Sequence, residues 1–166
     1  VADGVGGLSG GRVAAEMAVE VIQDRLQQGS DVVSAVEAAN ESIHFHGQEN
    51  AEWSAMATTV NVLCFSGEVL EIAHVGDSRT YRVTEDGLEQ LTIDHNIENF
   101  LRLGWVSEDQ IDETAPKSAL MRALGLLPKV EVDRIRREVQ PGDLFLTASD
   151  GLFGMIDDQT ITNLLN

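Results

Sequence analysis

The chain has few of the residues that several common kinds of protein depend on. Its 166 residues contain one cysteine, Cys64, so no disulfide can form within the chain. Cys64 lies in an apolar stretch, which is typical of a buried and unreactive thiol. No apolar run approaches the roughly 20 residues of a membrane-spanning helix, and the amino end lacks the basic-then-apolar pattern of a secretory signal. We therefore expect a soluble, cytoplasmic protein without a membrane segment.

Basic residues are also scarce. Lys and Arg number 11 against 28 Asp and Glu, which gives a formal net charge of -17. Because nucleic-acid phosphates repel a surface rich in carboxylates, this composition argues against a nucleic-acid partner. Either the acidic side chains form an ordinary solvated surface, or some of them converge on divalent cations. Composition alone leaves both interpretations open.

What the chain does contain is enough apolar sequence for one domain, since 43% of its residues are hydrophobic. Apolar residues recur at helical spacing from Gly10 to Gln28, with Ser9 as the predicted N-cap, and again after Ser30, the predicted cap of a second helix. Runs rich in β-branched residues then predict antiparallel strands. The predicted strands are 58–65, 69–75, 80–83, 88–91, 130–139 and 144–147. Short helical stretches are predicted at 97–103 and 108–111, and a last helix near Asp157.

Three short motifs place an aspartate beside glycine at the end of an apolar run: Ala2-Asp3-Gly4, Gly76-Asp77-Ser78 and Ser149-Asp150-Gly151. Any one of them alone is typical of an ordinary turn. Three together indicate carboxylates presented at the rim of a sheet. Glycine also lets a backbone carbonyl approach a ligand, and carboxylate, carbonyl and water oxygens are the ligands that Mg²⁺ and Mn²⁺ prefer.

Histidine does not offer an equivalent metal site. His44 and His46 are two residues apart on a predicted helix and point in different directions, so a surface or helix-end role is favoured. His74 precedes the central acidic motif, and a structural role is favoured for it too. The four histidines and single cysteine have no recognisable zinc spacing.

The order of the motifs carries a resemblance that no single motif would. Asp3-Gly4 in Val-Ala-Asp-Gly-Val-Gly-Gly is followed by Ala-Met-Ala-Thr-Thr-Val (55–60), His-Val-Gly-Asp-Ser-Arg-Thr-Tyr-Arg (74–82), Leu-Thr-Ile-Asp-His (91–95), Arg-Ala-Leu-Gly (122–125) and Ala-Ser-Asp-Gly-Leu (148–152). This series resembles the PP2C, or PPM, family of metal-dependent protein phosphatases, most closely its bacterial branch. The resemblance runs nearly from end to end.

The resemblance implies an α+β fold, a four-layer α-β-β-α sandwich of two antiparallel sheets flanked by helix pairs, with residues 92–121 as a helical flap. It implies a centre of two Mn²⁺ or Mg²⁺ ions, held by Asp3, the carbonyl of Gly4 and Asp150. Asp77 and Asp150 would support the third ion of bacterial relatives. The implied single domain, 1–166, would lack its first and last strands.

The resemblance also implies a reaction: hydrolysis of phosphoserine and phosphothreonine in proteins, with water activated by the metal ions as nucleophile and no catalytic side chain assigned. Phosphorylated proteins would be the substrates and an opposing Ser/Thr kinase a partner. The alternative is a pseudophosphatase or regulatory module that keeps the fold without turnover. The retained Asp3, Asp77 and Asp150 argue against that alternative.

The sequence departs from the family pattern at several positions. A phosphate-binding arginine and an Asp-Asn metal motif would lie before Val1 and after Asn166, so we expect the chain to be part of a longer protein and to have little or no activity on its own. Val5 stands where eukaryotic relatives have a histidine assigned as general acid, which favours metal-bound water over a side chain as the proton donor. Ala55 and Ala57 replace glycines, and Ala115-Pro116 replaces a His-Pro of the flap.

Overall fold

The computed structural model describes residues 1–5, 8–49 and 53–165. Gly6 and Gly7 of the first motif lie outside these ranges, and so does Asn166. In chain order the elements are β1 (Gly4–Val5), α1 (Leu8–Gln27), α2 (Val32–Glu49), β2 (Ala57–Thr58), β3 (Val60–Ser66), β4 (Val69–Val75), β5 (Arg79–Thr84), β6 (Gly87–Gln90), α3 (Ile97–Arg102), β7 (Asp133–Glu138), β8 (Leu144–Ala148), α4 (Asp150–Phe153) and α5 (Asp158–Leu165).

Strand β4 explains how the layers form, because its side chains alternate between two apolar clusters. Ala73 and Val75 face α1 and α2, where they join a cluster of small and β-branched residues from both helices. Leu70 and Ile72 point the other way, into a second cluster. Period-two alternation with both faces buried places β4 at the centre of a layered structure. None of the described helices is long and apolar enough to cross a membrane.

The second apolar cluster lies between two antiparallel sheets. One sheet has the order β3-β4-β7 and the other the order β6-β5-β8. Phe145 of β8 and Ile135 of β7 both pack against the cluster that contains Leu70 and Ile72. On the outside of the second sheet, α4 contacts β8 and α5 contacts β6. The predicted combination of helices with antiparallel sheets is confirmed, and a small two-stranded ribbon, β1-β2, is added to it.

Both predicted helix caps are wrong. Helix α1 begins at Leu8, so Ser9 lies inside its first turn. Helix α2 is capped by Asp31 instead of Ser30, because the Asp31 carboxylate accepts hydrogen bonds from the backbone N–H groups of Val33 (3.1 Å) and Ser34 (3.3 Å). Serine and aspartate are equally good caps, and their adjacency made the choice ambiguous in the sequence.

Several predicted boundaries also differ. The single strand predicted for 58–65 is two strands, β2 and β3, interrupted at Thr59. The helix predicted at 108–111 is one turn of 3₁₀-helix, Glu108–Gln110, and the strand predicted for 130–139 is shorter, Asp133–Glu138. The short helix α4 has no counterpart in the sequence-based prediction.

Candidate metal centre

The ends of two paired strands bring Asp77 and Asp150 to the same edge of the second sheet. In the antiparallel pair β5-β8, Arg79 lies opposite Ala148. Asp77 precedes Arg79 by two residues and Asp150 follows Ala148 by two, so both leave the sheet at that edge. The turn 76–78 also carries the chain from β4 in one sheet to β5 in the other. Asp77 therefore lies at the boundary between the sheets.

Thr59 joins the segment of Asp3 to the turn of Asp77. The Asp3 N–H donates to Thr59 Oγ1 (3.1 Å), and the Thr59 N–H donates back to the Asp3 carbonyl (2.9 Å). Thr59 Oγ1 also forms a hydrogen bond with Ser78 Oγ, 2.7 Å away, in which either hydroxyl can be the donor. One buried hydroxyl thus links two of the three aspartate motifs.

Packing requires the glycine in two of the three motifs, at Gly4 and Gly76. A Cβ on Gly4 would overlap the carbonyl of Gly11 in helix α1. Gly76 has φ +109°, and a Cβ there would lie 2.6 Å from the Cβ of Thr59. Gly4 is needed because the backbone lies against helix α1, and Gly76 because it lies against the buried Thr59. The sequence had suggested a different reason, that glycine gives a ligand access to the backbone.

Asp3, Gly4, Asp77 and Asp150 all line one open cleft of about 640 Å³. An apolar part of the wall comes from the end of the predicted flap and the segment that follows it; it consists of Ala119, Leu120, Ala123 and Leu126. Val5, Ala55 and Ala57, the positions that depart from the family pattern, line the cleft as well. Among the described residues of this lining, none is basic, so the three carboxylates have no cationic side chain beside them.

The carboxylates affect one another's protonation. Burial, and then repulsion from Asp150, raises the pKa of Asp3 above its ordinary value. Burial raises the pKa of Asp77 too, with Asp150 again the next cause. A bound cation would relieve the repulsion between these carboxylates, which costs free energy in its absence.

The donor set fits a hard divalent cation. Every polar side chain named for the cleft offers oxygen, and the backbone carbonyls and water can supply further oxygen ligands, as Mg²⁺ and Mn²⁺ require. Over the residues that the structure describes, no three His, Cys, Asp or Glu side chains converge closely enough to hold one ion. The arrangement therefore suits a site in which few carboxylates are supplemented by carbonyl oxygen and water.

The histidines have the structural surroundings predicted for them. His44 Nδ1 lies 2.9 Å from the carbonyl oxygen of Gly125, and His46 stacks on Trp53. His74 is fully buried, with Nε2 2.9 Å from the carbonyl oxygen of Ile93. None of these three lines the cleft.

Sequence reasoning missed the residues that hold the aspartates in place. Thr59 and Ser78 carry the link described above, and the Asn61 amide donates to the Ser78 carbonyl (2.9 Å). His95 contacts the residue just before Asp77. Thr59, Ser78 and His95 lie inside the motifs of the resemblance, whereas Asn61 follows one directly. The signal available in the sequence was the presence of polar residues within largely apolar runs, because buried polar groups usually need hydrogen-bond partners.

Comparison with known proteins decides the family. The sequence profile described as "Protein phosphatase 2C" matches residues 1–165. The chain belongs to the protein phosphatase 2C family. The serine/threonine phosphatase stp of Listeria innocua is 33% identical over 176 residues, which cover 99% of this chain and 70% of that protein.

Solved structures of family members have the same fold. The Mycobacterium tuberculosis serine/threonine phosphatase PstP/Ppp superposes with a TM-score of 0.82 at 31% identity, covering 99% of this chain and 73% of the other. A structure of the PstP catalytic domain, described as a complex with two manganese ions, gives a TM-score of 0.81 at 30% identity, covering 99% and 71%. The predicted membership of the PP2C family is thereby confirmed.

Proposed function

We propose that this chain forms the catalytic cleft of a metal-dependent protein phosphatase that hydrolyses phosphoserine and phosphothreonine. The observation that carries the proposal is the convergence of Asp3, Asp77 and Asp150 on one cleft without a basic neighbour. Phosphatase activity in the named relatives and membership of the family support it.

Within this proposal, Asp3, the Gly4 carbonyl and Asp150 hold a pair of Mn²⁺ or Mg²⁺ ions, and Asp77 with Asp150 supports a third. When bound, such ions supply an activated water molecule and neutralise the phosphoryl oxygens. The role of the chain is to keep its carboxylates in place before any cation arrives. Thr59 does this for Asp3 and for the turn of Asp77.

The cleft also constrains how the leaving oxygen gains its proton. The titratable side chains that the structure places in its lining are the three aspartates, and all three serve as anionic ligands in this proposal. Val5 stands where some relatives have a histidine and cannot donate a proton. Solvent water is therefore the proton source for the departing serine or threonine.

The substrate is a phosphorylated protein, because the cleft is open and one wall is apolar. The apolar residues Leu120, Ala123 and Leu126 offer a surface for the backbone and side chains beside a phosphorylated residue. We propose residues 92–121, the predicted flap, as the segment that adjusts to the substrate, since Ser118 to Leu120 belong to this wall. The opposing enzyme is a Ser/Thr kinase, and its need for ATP favours a cytoplasmic location.

The test is hydrolysis of p-nitrophenyl phosphate and of a phosphothreonine peptide with Mn²⁺ by the full-length protein. We expect turnover that EDTA abolishes, and we expect Asp150→Asn to reduce it by several orders of magnitude while the protein stays folded. Asp86→Asn is the matched control, since Asp86 is an exposed aspartate in a hairpin turn.

Three outcomes are distinct. An Asp150→Asn variant that keeps more than half of the activity would remove Asp150 from the site. Binding of Mn²⁺ without any turnover would favour the pseudophosphatase alternative. Failure of Mn²⁺ to bind the chain at all would contradict the proposed centre.

A further inference from the structure

The turn that carries Asp77 is held from behind by a buried histidine. The Gly76 N–H donates to His95 Nδ1 (3.1 Å), and the backbone N–H of His95 donates to the Gly76 carbonyl (2.8 Å). His95 is fully buried. Gly76 thus has both of its backbone polar groups bonded to one residue, and Asp77 is the next residue in the chain.

These contacts determine the tautomer of the His95 ring. Because a backbone N–H can only donate, Nδ1 must be the unprotonated nitrogen, and the ring hydrogen lies on Nε2. That hydrogen is directed at Asp133 Oδ2, 3.1 Å away. The other oxygen, Asp133 Oδ1, accepts from Arg122 Nη1 (3.1 Å). The carboxylate at the start of β7 therefore orients the ring that bonds Gly76.

The ring has little freedom to turn away. The His74 ring lies beside it with centroids 4.6 Å apart and planes tilted by 39°, and the Phe100 ring makes an edge contact at 6.1 Å. The His95 carbonyl accepts from the Met121 N–H (2.7 Å), which ties the backbone to the end of the predicted flap. Separate contacts therefore hold the ring and the backbone of His95.

We propose that His95 is a positioning residue for Asp77, acting through its Nδ1 acceptor on Gly76 and oriented by Asp133. This inference rests on the proposed function, in which Asp77 binds a metal ion. His95 lies outside the described cleft lining and acts through the position of the turn. If His95 served only to pack the core, another core substitution that lowered the stability by the same amount would weaken metal binding as much as a substitution of His95.

Two substitutions separate the ring nitrogens. In His95→Asn the side-chain oxygen can take the place of Nδ1 and still accept from Gly76, although the donor to Asp133 is lost. In His95→Gln the side-chain amide can reach Asp133, but nothing accepts from Gly76. Ile72→Ala is the control for general destabilisation, because Ile72 is fully buried in the cluster between the sheets.

The first readout is Mn²⁺ affinity by calorimetry on the whole chain. We expect His95→Gln to weaken the binding that depends on Asp77 by about tenfold or more, the usual effect of removing a group that orients a ligand. His95→Asn should retain most of the affinity. Ile72→Ala should lose stability without losing affinity. Equal affinity for His95→Gln and the unmutated chain would overturn the proposal, and so would an equal loss in Ile72→Ala.

The second readout needs no metal. The Gly76 amide should be protected from hydrogen exchange in the unmutated chain and in His95→Asn, and should lose protection in His95→Gln. The ring nitrogens of His95 should show the ¹⁵N signals of the Nε2–H tautomer; the other tautomer would contradict the proposal. If Asp77→Asn leaves Mn²⁺ binding unchanged while Gly76 behaves as expected, the metal role of Asp77 fails and the hydrogen bond to His95 stands.

Discussion

Asp77 is partly buried and repelled by Asp150, so without a cation its charged form opposes folding. A carboxyl group whose pKa is higher in the folded than in the unfolded chain stabilises the fold at low pH, and that contribution disappears as the pH rises through the folded pKa. At neutral pH, Asp77→Asn should therefore raise the free energy of unfolding of the metal-free chain, by about 0.5–1 kcal/mol. The same change should weaken Mn²⁺ binding.

Urea unfolding with EDTA and with Mn²⁺ checks both parts of this prediction. A metal-free Asp77→Asn variant that is less stable than the unmutated chain would contradict the electrostatic explanation. Asp86→Asn again serves as the control, since Asp86 is exposed in a turn.

His74 is the residue at which pH should affect stability. Burial, and then the neighbouring His95, lowers the pKa of His74 to about 4 from the 6.5 of a free imidazole. The unfolded chain therefore takes up a proton between pH 6.5 and about 4 that the folded chain does not. Stability should be full above pH 6.5 and should fall across this interval, by about 3 kcal/mol in total.

The difference in unfolding free energy between the unmutated chain and His74→Gln, followed across this pH range, isolates the contribution of His74 from that of the carboxyl groups. Hydrogen bonds to the ring have the opposite effect on the pKa of His74. His74 Nδ1 lies 2.6 Å from Asn61 Oδ1 and Nε2 faces the Ile93 carbonyl, so a doubly protonated ring could donate to both. A pKa of 6.5 or higher by NMR would mean that these hydrogen bonds outweigh burial.

At the scale of elements, the cleft depends on the link that Thr59 makes between the chain beside β3 and the β4–β5 turn. Thr59→Val removes the hydroxyl at nearly constant volume and leaves the Asp3 N–H and the Ser78 hydroxyl without their partner. We expect a loss of about 1–3 kcal/mol in unfolding free energy. We also expect weaker Mn²⁺ binding than in Thr147→Val, a control that loses a threonine hydroxyl bonded to Thr80. Equal Mn²⁺ affinity in the two variants, measured by calorimetry, would contradict a linking role.

The elements that could be predicted from the sequence are those specified by nearby residues. The apolar alternation of β4 and the helical spacing of α1 and α2 are local patterns, and the motifs of Asp77 and Asp150 follow apolar runs that became strands. The contacts that position the aspartates could not be predicted in the same way. Gly76 meets His95 across 19 residues, and the ring tautomer depends on Asp133, 38 residues further along. The local periodicity of a sequence does not indicate contacts between residues this far apart.

For the whole molecule, the net charge of -17 should select among substrates. A negative field repels phosphorylated peptides and repels acidic ones most, while basic flanking residues offset the repulsion. We expect kcat/KM for a phosphothreonine peptide flanked by arginines to exceed that for one flanked by glutamates by about tenfold at low ionic strength, and the ratio to shrink as salt screens the field. A ratio that does not change with salt would show that contacts within the cleft set the preference.

The cleft straddles two separately built layers. Residues 1–3 run beside the start of β3 in the first sheet, where the Asn61 N–H donates to the Val1 carbonyl, whereas Asp150 follows β8 in the second. A cation that draws Asp3 and Asp150 together therefore acts as a clasp between the layers. Because the cation binds only when the two layers are stacked, its binding free energy adds to the stability of that stacking. Bound Mn²⁺ should therefore make the two sheets harder to separate, even though the cation touches neither of the apolar clusters that hold the layers together.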